Sequence, residues 1–206
     1  MKGSIVLAGI AAAIVGGETA FRATVRADGL LHPPGAQSDA DFLARCIKCG
    51  KCIEACPYRS LHVAGFFAGA AAGTPRIDAR AHACRLCEDF PCVAACPTDA
   101  LRNVKTRQDV RMGVAVIDED LCIAFAGNRC EVCYRACPLI DEAITIDYRL
   151  LEGDVNHAVF APSVNAEKCV GCGLCVERCV VSDPAVAIRI AAGEEAHRLR
   201  ADNDGA

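Results

Sequence analysis

The chain has 206 residues, enough for one large or two small domains with a buried core. Apolar residues make up 53% and charged residues 23%, which excludes a disordered chain, and a formal charge of −4 leaves no basic face of the kind nucleic acid requires. Sixteen of the 206 residues are cysteine and none is Trp, so the fold leans on sulfur rather than on aromatic anchors.

Residues 1–27 hold the one long apolar run, Ile5 to Gly17, behind the single cation Lys2. The run is shorter than the roughly 20 residues that span a bilayer. An apolar stretch of about 7–15 residues after a cationic start reads instead as an export or anchoring segment, here with Val25-Arg26-Ala27 as a small-residue cleavage site. Residues 28–40, with Pro33, Pro34 and Gly35, read as a linker, which places the start of the folded part near Asp39.

The cysteines then fall into four groups of four. Group one is Cys46, Cys49, Cys52 and Cys56, spaced C-x2-C-x2-C-x3-C and followed by Pro57. Leu61-His62-Val63 and Pro75-Arg76-Ile77-Asp78 are strand-like and lead to group two, Cys84, Cys87, Cys92 and Cys96, whose middle gap is stretched by Glu88-Asp89-Phe90-Pro91. Ala100-Leu101 and Val114 to Asp118 come next, then group three, Cys122, Cys130, Cys133 and Cys137, with its first member displaced upstream. Ala143 to Ile146 and Ala158 to Ala161 separate it from group four, Cys169, Cys172, Cys175 and Cys179. Ala185 to Ile188 follows, and the polar stretch 193–206 reads as a flexible tail. Strand, cysteine loop, short helix, strand is a repeating unit.

Such spacing suits a cubane of four irons and four sulfides. Three cysteines in one loop can reach three corners while backbone N–H groups point at the sulfides. The fourth, expected to open a helical turn, points away and in two-cluster ferredoxins ligates the other cluster. Proline after the fourth cysteine suits a chain leaving by a turn; Pro57, Pro97 and Pro138 provide it, whereas Val180 follows Cys179. Gly50, Gly171 and Gly173 allow close backbone approach to the sulfides. The pattern predicts an α+β fold of two ferredoxin-like modules, each with two [4Fe–4S] clusters, whose iron ligands are all sixteen cysteines. Zinc ribbons use two pairs a dozen or more residues apart, and cysteines three apart on one loop are poorly placed to bridge one another. No C-x-x-C is followed by His, which removes covalent haem, and each group is complete without His32, His62, His82, His157 or His197. Arg45, Lys48 and Lys51 surround the first group and read chiefly as a solvated face; the acidic runs at Asp118 and Asp141 read as helix-end charges. No nucleophile, general base or nucleotide loop is legible, so no catalytic residue is assigned and the chain reads as an electron carrier. The alternative is an iron–sulfur subunit of a catalytic oxidoreductase.

These residues resemble the NapG/MauM-type ferredoxins. The resemblance covers about residues 33–190 and rests on Pro-Pro-Gly-Ala (33–36), Asp-Phe-Leu-Ala-Arg-Cys-Ile-Lys-Cys-Gly-Lys-Cys (41–52) and Gly-Thr-Pro-Arg-Ile-Asp-Ala-Arg (73–80). It continues in Cys-Arg-Leu-Cys-Glu-Asp-Phe-Pro-Cys (84–92), Cys-Ile-Ala-Phe (122–125) and Arg-Cys-Glu-Val-Cys-Tyr-Arg-Ala-Cys-Pro-Leu-Ile-Asp (129–141). It implies four [4Fe–4S] clusters that relay electrons from an integral-membrane quinol-oxidising iron–sulfur protein to a redox acceptor protein, in a periplasmic, membrane-associated setting. Exported members carry a twin-arginine pair that is not found ahead of Ile5. By analogy with related four-cluster subunits, residues 41–66 and 157–192 form an outer module and 67–156 an inner one. Cys179 then completes Cys46, Cys49 and Cys52, and Cys56 completes Cys169, Cys172 and Cys175. Cys137 serves Cys84, Cys87 and Cys92, and Cys96 serves Cys122, Cys130 and Cys133. Sequential exchange, one with two and three with four, is the other arrangement.

Overall fold

The computed structural model describes residues 29–150 and 158–203, so the apolar segment 1–27 lies outside the described residues, as does His157. The first helix among the described residues is α1, Asp39–Arg45, whose start is set by Ser38: its Oγ accepts the Asp41 N–H, and Asp39 and Asp41 sit in the positive first turn. One residue of this helix is buried, Phe42, 1% exposed, and burial of such a ring contributes about 1.5–3 kcal/mol. Four one-turn helices follow at the cysteine groups: α2 (Lys51–Ala55), α3 (Pro91–Ala94), α4 (Val132–Ala136) and α5 (Leu174–Arg178). All are too short to be stable alone. Helix α2 packs on α3 and α4 on α5, which divides the chain into two halves.

Each half is framed by short antiparallel strand pairs. In the first, β1 (Leu61–Val63) pairs with β2 (Pro75–Ile77), Leu61 opposite Ile77. In the second, β3 (Val114–Ile117) pairs with β6 (Ile188–Ala191), and β4 (Ile144–Leu150) with β5 (Ala158–Val164). The second half is thus two strand pairs around two cysteine loops. The six strands fall on the apolar segments expected from the sequence, except that the last lies later, at Ile188–Ala191, and that Ala100-Leu101 forms no strand.

That exception and the linker share an explanation. Residues 31–35 are buried, not a free linker: the Leu31 carbonyl accepts the Ile77 N–H at 2.7 Å and the Gly35 carbonyl accepts the Arg102 N–H at 2.9 Å. The proline-rich segment lies beside 100–102 in the first half, where the second half has its β3–β6 pair. Two prolines remove the donors a ladder needs, so contact is made without a strand. The folded part therefore begins before Asp39. The tail expectation is also corrected, because 193–203 is an eleven-residue helix, α6 (Gly193–Asn203), with Ala196 buried and Arg200 donating to the Gly113 and Cys169 carbonyls.

The core runs continuously through both halves and includes Phe42, Ile77, Leu86, Leu101, Val110, Leu139, Val170 and Ile188. Gly171 lies closely against Gly113 in it; a Cβ on Gly171 would overlap the Gly113 backbone, and its φ of +71° is left-handed. Gly171→Ala is expected to lower the urea midpoint of the loaded protein by the equivalent of about 2–3 kcal/mol, since clash and backbone strain add. A midpoint within error of wild type would show that these two loops yield without cost.

Candidate metal centres

The four cysteine loops fold alike. In each, the third cysteine lies in the one-turn helix: Cys52 in α2, Cys92 in α3, Cys133 in α4 and Cys175 in α5. The residue just before the second cysteine is left-handed in three groups, Lys48 (φ 56°), Leu86 (φ 50°) and Gly171 (φ 71°). Alternating hand along a turn converges successive N–H groups into an anion-binding concavity, which fits thiolates and sulfides. Cys56, Cys137 and Cys179 are helix C-caps, and Cys96 follows the C-cap Ala95. The fourth cysteine therefore closes a helical turn instead of opening one, because the one-turn helix begins at or just before the third. Either way it leaves its own loop on the far side of the helix.

Where it goes is plain. Cys46, Cys49 and Cys52 share a cavity of about 340 Å³ with Cys96 (site I), walled by Phe42, Ile47 and Leu101. Cys122, Cys130 and Cys133 share one of about 340 Å³ with Cys179 (site III), walled by Ile117, Val132 and Ile188. Cys169, Cys172 and Cys175 share one of about 400 Å³ with Cys137 (site IV), walled by Leu139, Ile144 and Val164. The four cysteines left over, Cys56, Cys84, Cys87 and Cys92, are grouped as site II: Cys56 is near enough to raise the Cys87 and Cys92 thiols, and those two raise Cys84. In these cavities the groups meet sequentially, one with two and three with four, and not in the nested order, with 41–66 plus 157–192 around 67–156, that the resemblance implies. The physical reason is local: the β1–β2 hairpin returns the chain at once, so α2 meets α3, and the β4–β5 hairpin does the same for α4 and α5.

Burial and crowding hold the protons on many of these thiols. Burial pushes the Cys52 thiol up to about 11, with Cys46 and Cys49 adding repulsion. Burial likewise raises Cys133 to about 11, and Cys84, Cys92 and Cys172 to about 12, with neighbouring cysteines contributing to each. Loading must displace these protons, and only a positively charged centre makes four close thiolates tolerable. Cys96 differs: burial acts upward, yet the N–H groups of Thr98 and Leu101 and the Thr98 hydroxyl hold it below the ordinary thiol range. Further N–H groups reach sulfur from Ser60 to Cys56 (3.4 Å) and from Ala115 to Cys169 (3.3 Å). All sixteen cysteines are free, and among the described residues no three donors converge at single-ion distance. Four thiols lining one apolar-walled space, with no three at single-ion distance among the described residues, fit a polynuclear cluster better than one ion.

The sites form a row. Cys52 of site I acts on Cys92 of site II, and the Cys84 N–H of site II donates to the Cys172 carbonyl of site IV at 2.9 Å. Cys133 of site III acts on Cys175 of site IV. The order is I, II, IV, III. Residues that sequence reasoning passed over hold the middle of this row: Arg80, Arg85 and Glu177 bridge the loops of sites II and IV. Arg80 stood inside a motif and Arg85 beside a cysteine, but no spacing rule marks Glu177.

Other flagged side chains have local roles. His32 is buried with its ring 4.4 Å from Phe42, and His62 stands 5.7 Å from His82. Arg45 is ion-paired with Asp41 on α1, whereas Lys48 lines site I. Asp118 caps the turn at Asp120 and Leu121, and Asp141 accepts the Tyr134 hydroxyl at 2.6 Å.

Comparison with known proteins agrees with two paired units. The 4Fe-4S dicluster domain family matches residues 45–100 and again 126–182, the same two halves. The chain is similar to the ferredoxin-type protein NapG of Escherichia coli K12, 44% identical over 183 residues that cover 86% of this chain and 79% of that protein. It is 45% identical to NapG of Haemophilus influenzae over 161 residues, 77% of this chain and 58% of that protein. The methylamine utilization ferredoxin-type protein MauM of Methylorubrum extorquens is 40% identical over 173 residues, 83% of this chain and 76% of that protein.

Sequential exchange makes a specific claim about iron content. Cys56→Ser and Cys92→Ser, made singly, are each expected to remove about four iron atoms, and the double variant no more than about four, because both serve site II. Loss of about eight in the double variant would place Cys56 at another site.

Proposed function

The chain belongs to the ferredoxin-type NapG/MauM proteins, and we propose that it binds four [4Fe–4S] clusters and relays electrons from a membrane quinol-oxidising iron–sulfur protein to a soluble redox acceptor. It is an iron–sulfur electron-transfer protein rather than a catalytic one. The observation that carries the four-cluster relay is the row of four cysteine sites with sequential exchange of the fourth ligand.

A bound [4Fe–4S] cluster supplies one-electron chemistry. The chain's own residues do the rest. Sixteen thiolates anchor iron at fixed positions. Apolar walls such as Phe42 and Leu101 at site I, or Leu139 and Ile144 at site IV, exclude water, so little solvent must reorganise when charge changes. The Ser60 and Ala115 N–H groups, aimed at ligand sulfur, favour the more negative state and raise the potential of their sites. Cys49 is exposed at one end of the row, which suits entry or exit of an electron there.

The setting we propose is periplasmic and membrane-associated, supported by the apolar run Ile5 to Gly17. Among the described residues no helix is long and apolar enough to cross a membrane. Each oxidised cluster with its four thiolates carries about −2, so four take the formal −4 to about −12. A partner with a basic docking face follows.

Anaerobically purified protein is expected to contain about sixteen iron and sixteen acid-labile sulfide per chain, with coupled S = 1/2 EPR signals after dithionite reduction. Zinc in place of iron, or fewer than about two clusters after reconstitution, discards the relay. Stoichiometric co-purification with a cofactor-bearing subunit would instead make it the iron–sulfur subunit of an oxidoreductase. Association with the redox partner is expected to weaken steadily as ionic strength rises from about 0.01 to 0.15 M, over which the Debye length falls from about 30 to 8 Å. Affinity unchanged across that range would overturn the proposed acidic docking.

A further inference from the structure

Among the described residues the cysteine loops of the two halves meet between sites II and IV, and several hydrogen bonds fasten that contact. Segment 79–85, which leads into site II, lies along α5 of site IV. The Arg80 guanidinium donates to the Val176 carbonyl at 2.8 Å, which also accepts the Cys179 N–H, and to the Cys179 carbonyl at 2.9 Å. One carboxylate oxygen of Glu177 accepts the Ala83 N–H at 2.7 Å, and the other accepts the Arg85 guanidinium at 2.7 Å. Gly173 admits the approach, since a Cβ there would stand 2.6 Å from that of Ala79. On the other side Ser60 donates to the Ala83 carbonyl at 2.8 Å, so the same backbone is held to group one as well. Inside this frame the Cys84 N–H meets the Cys172 carbonyl at 2.9 Å, joining a ligand residue of one site to a ligand residue of the other through a single hydrogen bond.

Every one of these groups is more than a packing contact would need. A carboxylate that divides its two oxygens between a backbone N–H and a guanidinium fixes direction as well as distance, because charge-assisted bonds are short and oriented. Ligand exchange ties site I to site II and site III to site IV, but no cysteine is exchanged between II and IV. The only step of the row without a shared ligand is thus the one with the clamp.

We propose that Glu177 is a positioning residue for electron transfer between the halves: with Arg85 it sets the register of the site II and site IV loops, so that an electron leaving the cluster at one, which is oxidised, reaches the cluster at the other, which is reduced. This rests on the four-cluster reading above and adds the place where the relay is controlled. Arg80 fixes the rotation of α5 under the same segment.

The test uses the whole chain, loaded anaerobically, as wild type, Glu177→Ala and Glu177→Gln. Iron and sulfide are counted first, then intramolecular electron equilibration is followed after a short radiolytic pulse, and the magnetic interaction between clusters is read by EPR. Glu177→Ala is expected to keep wild-type iron, slow equilibration at least about tenfold and weaken the coupling. Glu177→Gln keeps an acceptor for the Ala83 N–H and is expected to recover most of the rate. Fully loaded Glu177→Ala that equilibrates at the wild-type rate overturns the proposal, and so does loss of iron from site II or IV in that variant, which would make Glu177 an assembly residue. A wild-type chain without iron at those sites would remove the relay reading itself, an outcome distinct from both.

Discussion

The exchange of the fourth cysteine is the constraint on which this molecule is built. Cys56 and Cys96 cross between the first two groups and Cys137 and Cys179 between the last two, so every site is a tertiary contact before it is a metal site. One-turn helices and strands of three to seven residues could not hold such an arrangement by local preference. They are held because each caps or flanks a cysteine loop. Folding and metal binding are then one event: buried thiols that prefer their protons at neutral pH become ligands only when iron arrives, and its charge replaces theirs as the reason to stay together.

Backbone conformation serves the same end. Leu86 is fully buried yet left-handed, a position a branched side chain occupies only where its surroundings over-determine it, at a cost of about 1–3 kcal/mol. At the equivalent place in group four Gly171 takes the same hand without that cost and uses the missing side chain to lie against Gly113. Two solutions to one geometric demand, in repeats of one chain, show that the loop shape rather than the residue is what the site requires.

The grouping of the cysteines was legible from spacing alone, since a pattern of this regularity has few physical meanings, and the strands were legible because apolar residues cluster between turn signals. What escaped was whatever depends on partners far along the chain. Pro33, Pro34 and Gly35 carry every local mark of a linker, yet the segment is buried, tied down by Leu31 to Ile77 and by Gly35 to Arg102. The segment from Gly193 is polar, and its helix is anchored by Ala196 and by Arg200 reaching two distant carbonyls. Which groups meet depends on hairpins that bring consecutive groups together first, and the spacing within each group carries no trace of that. Glu177 was invisible for a related reason, as its partners lie more than ninety positions away.

The exposure of Cys49 has a consequence for the life of the protein in air. Thiolate oxidation follows access, and at site I a ligand faces solvent, whereas Cys169 and Cys172 of site IV are buried beneath both halves. Damage by oxygen therefore begins at a terminus and works inward. A cluster at site I would be the first lost, and one at the buried site IV would outlast it.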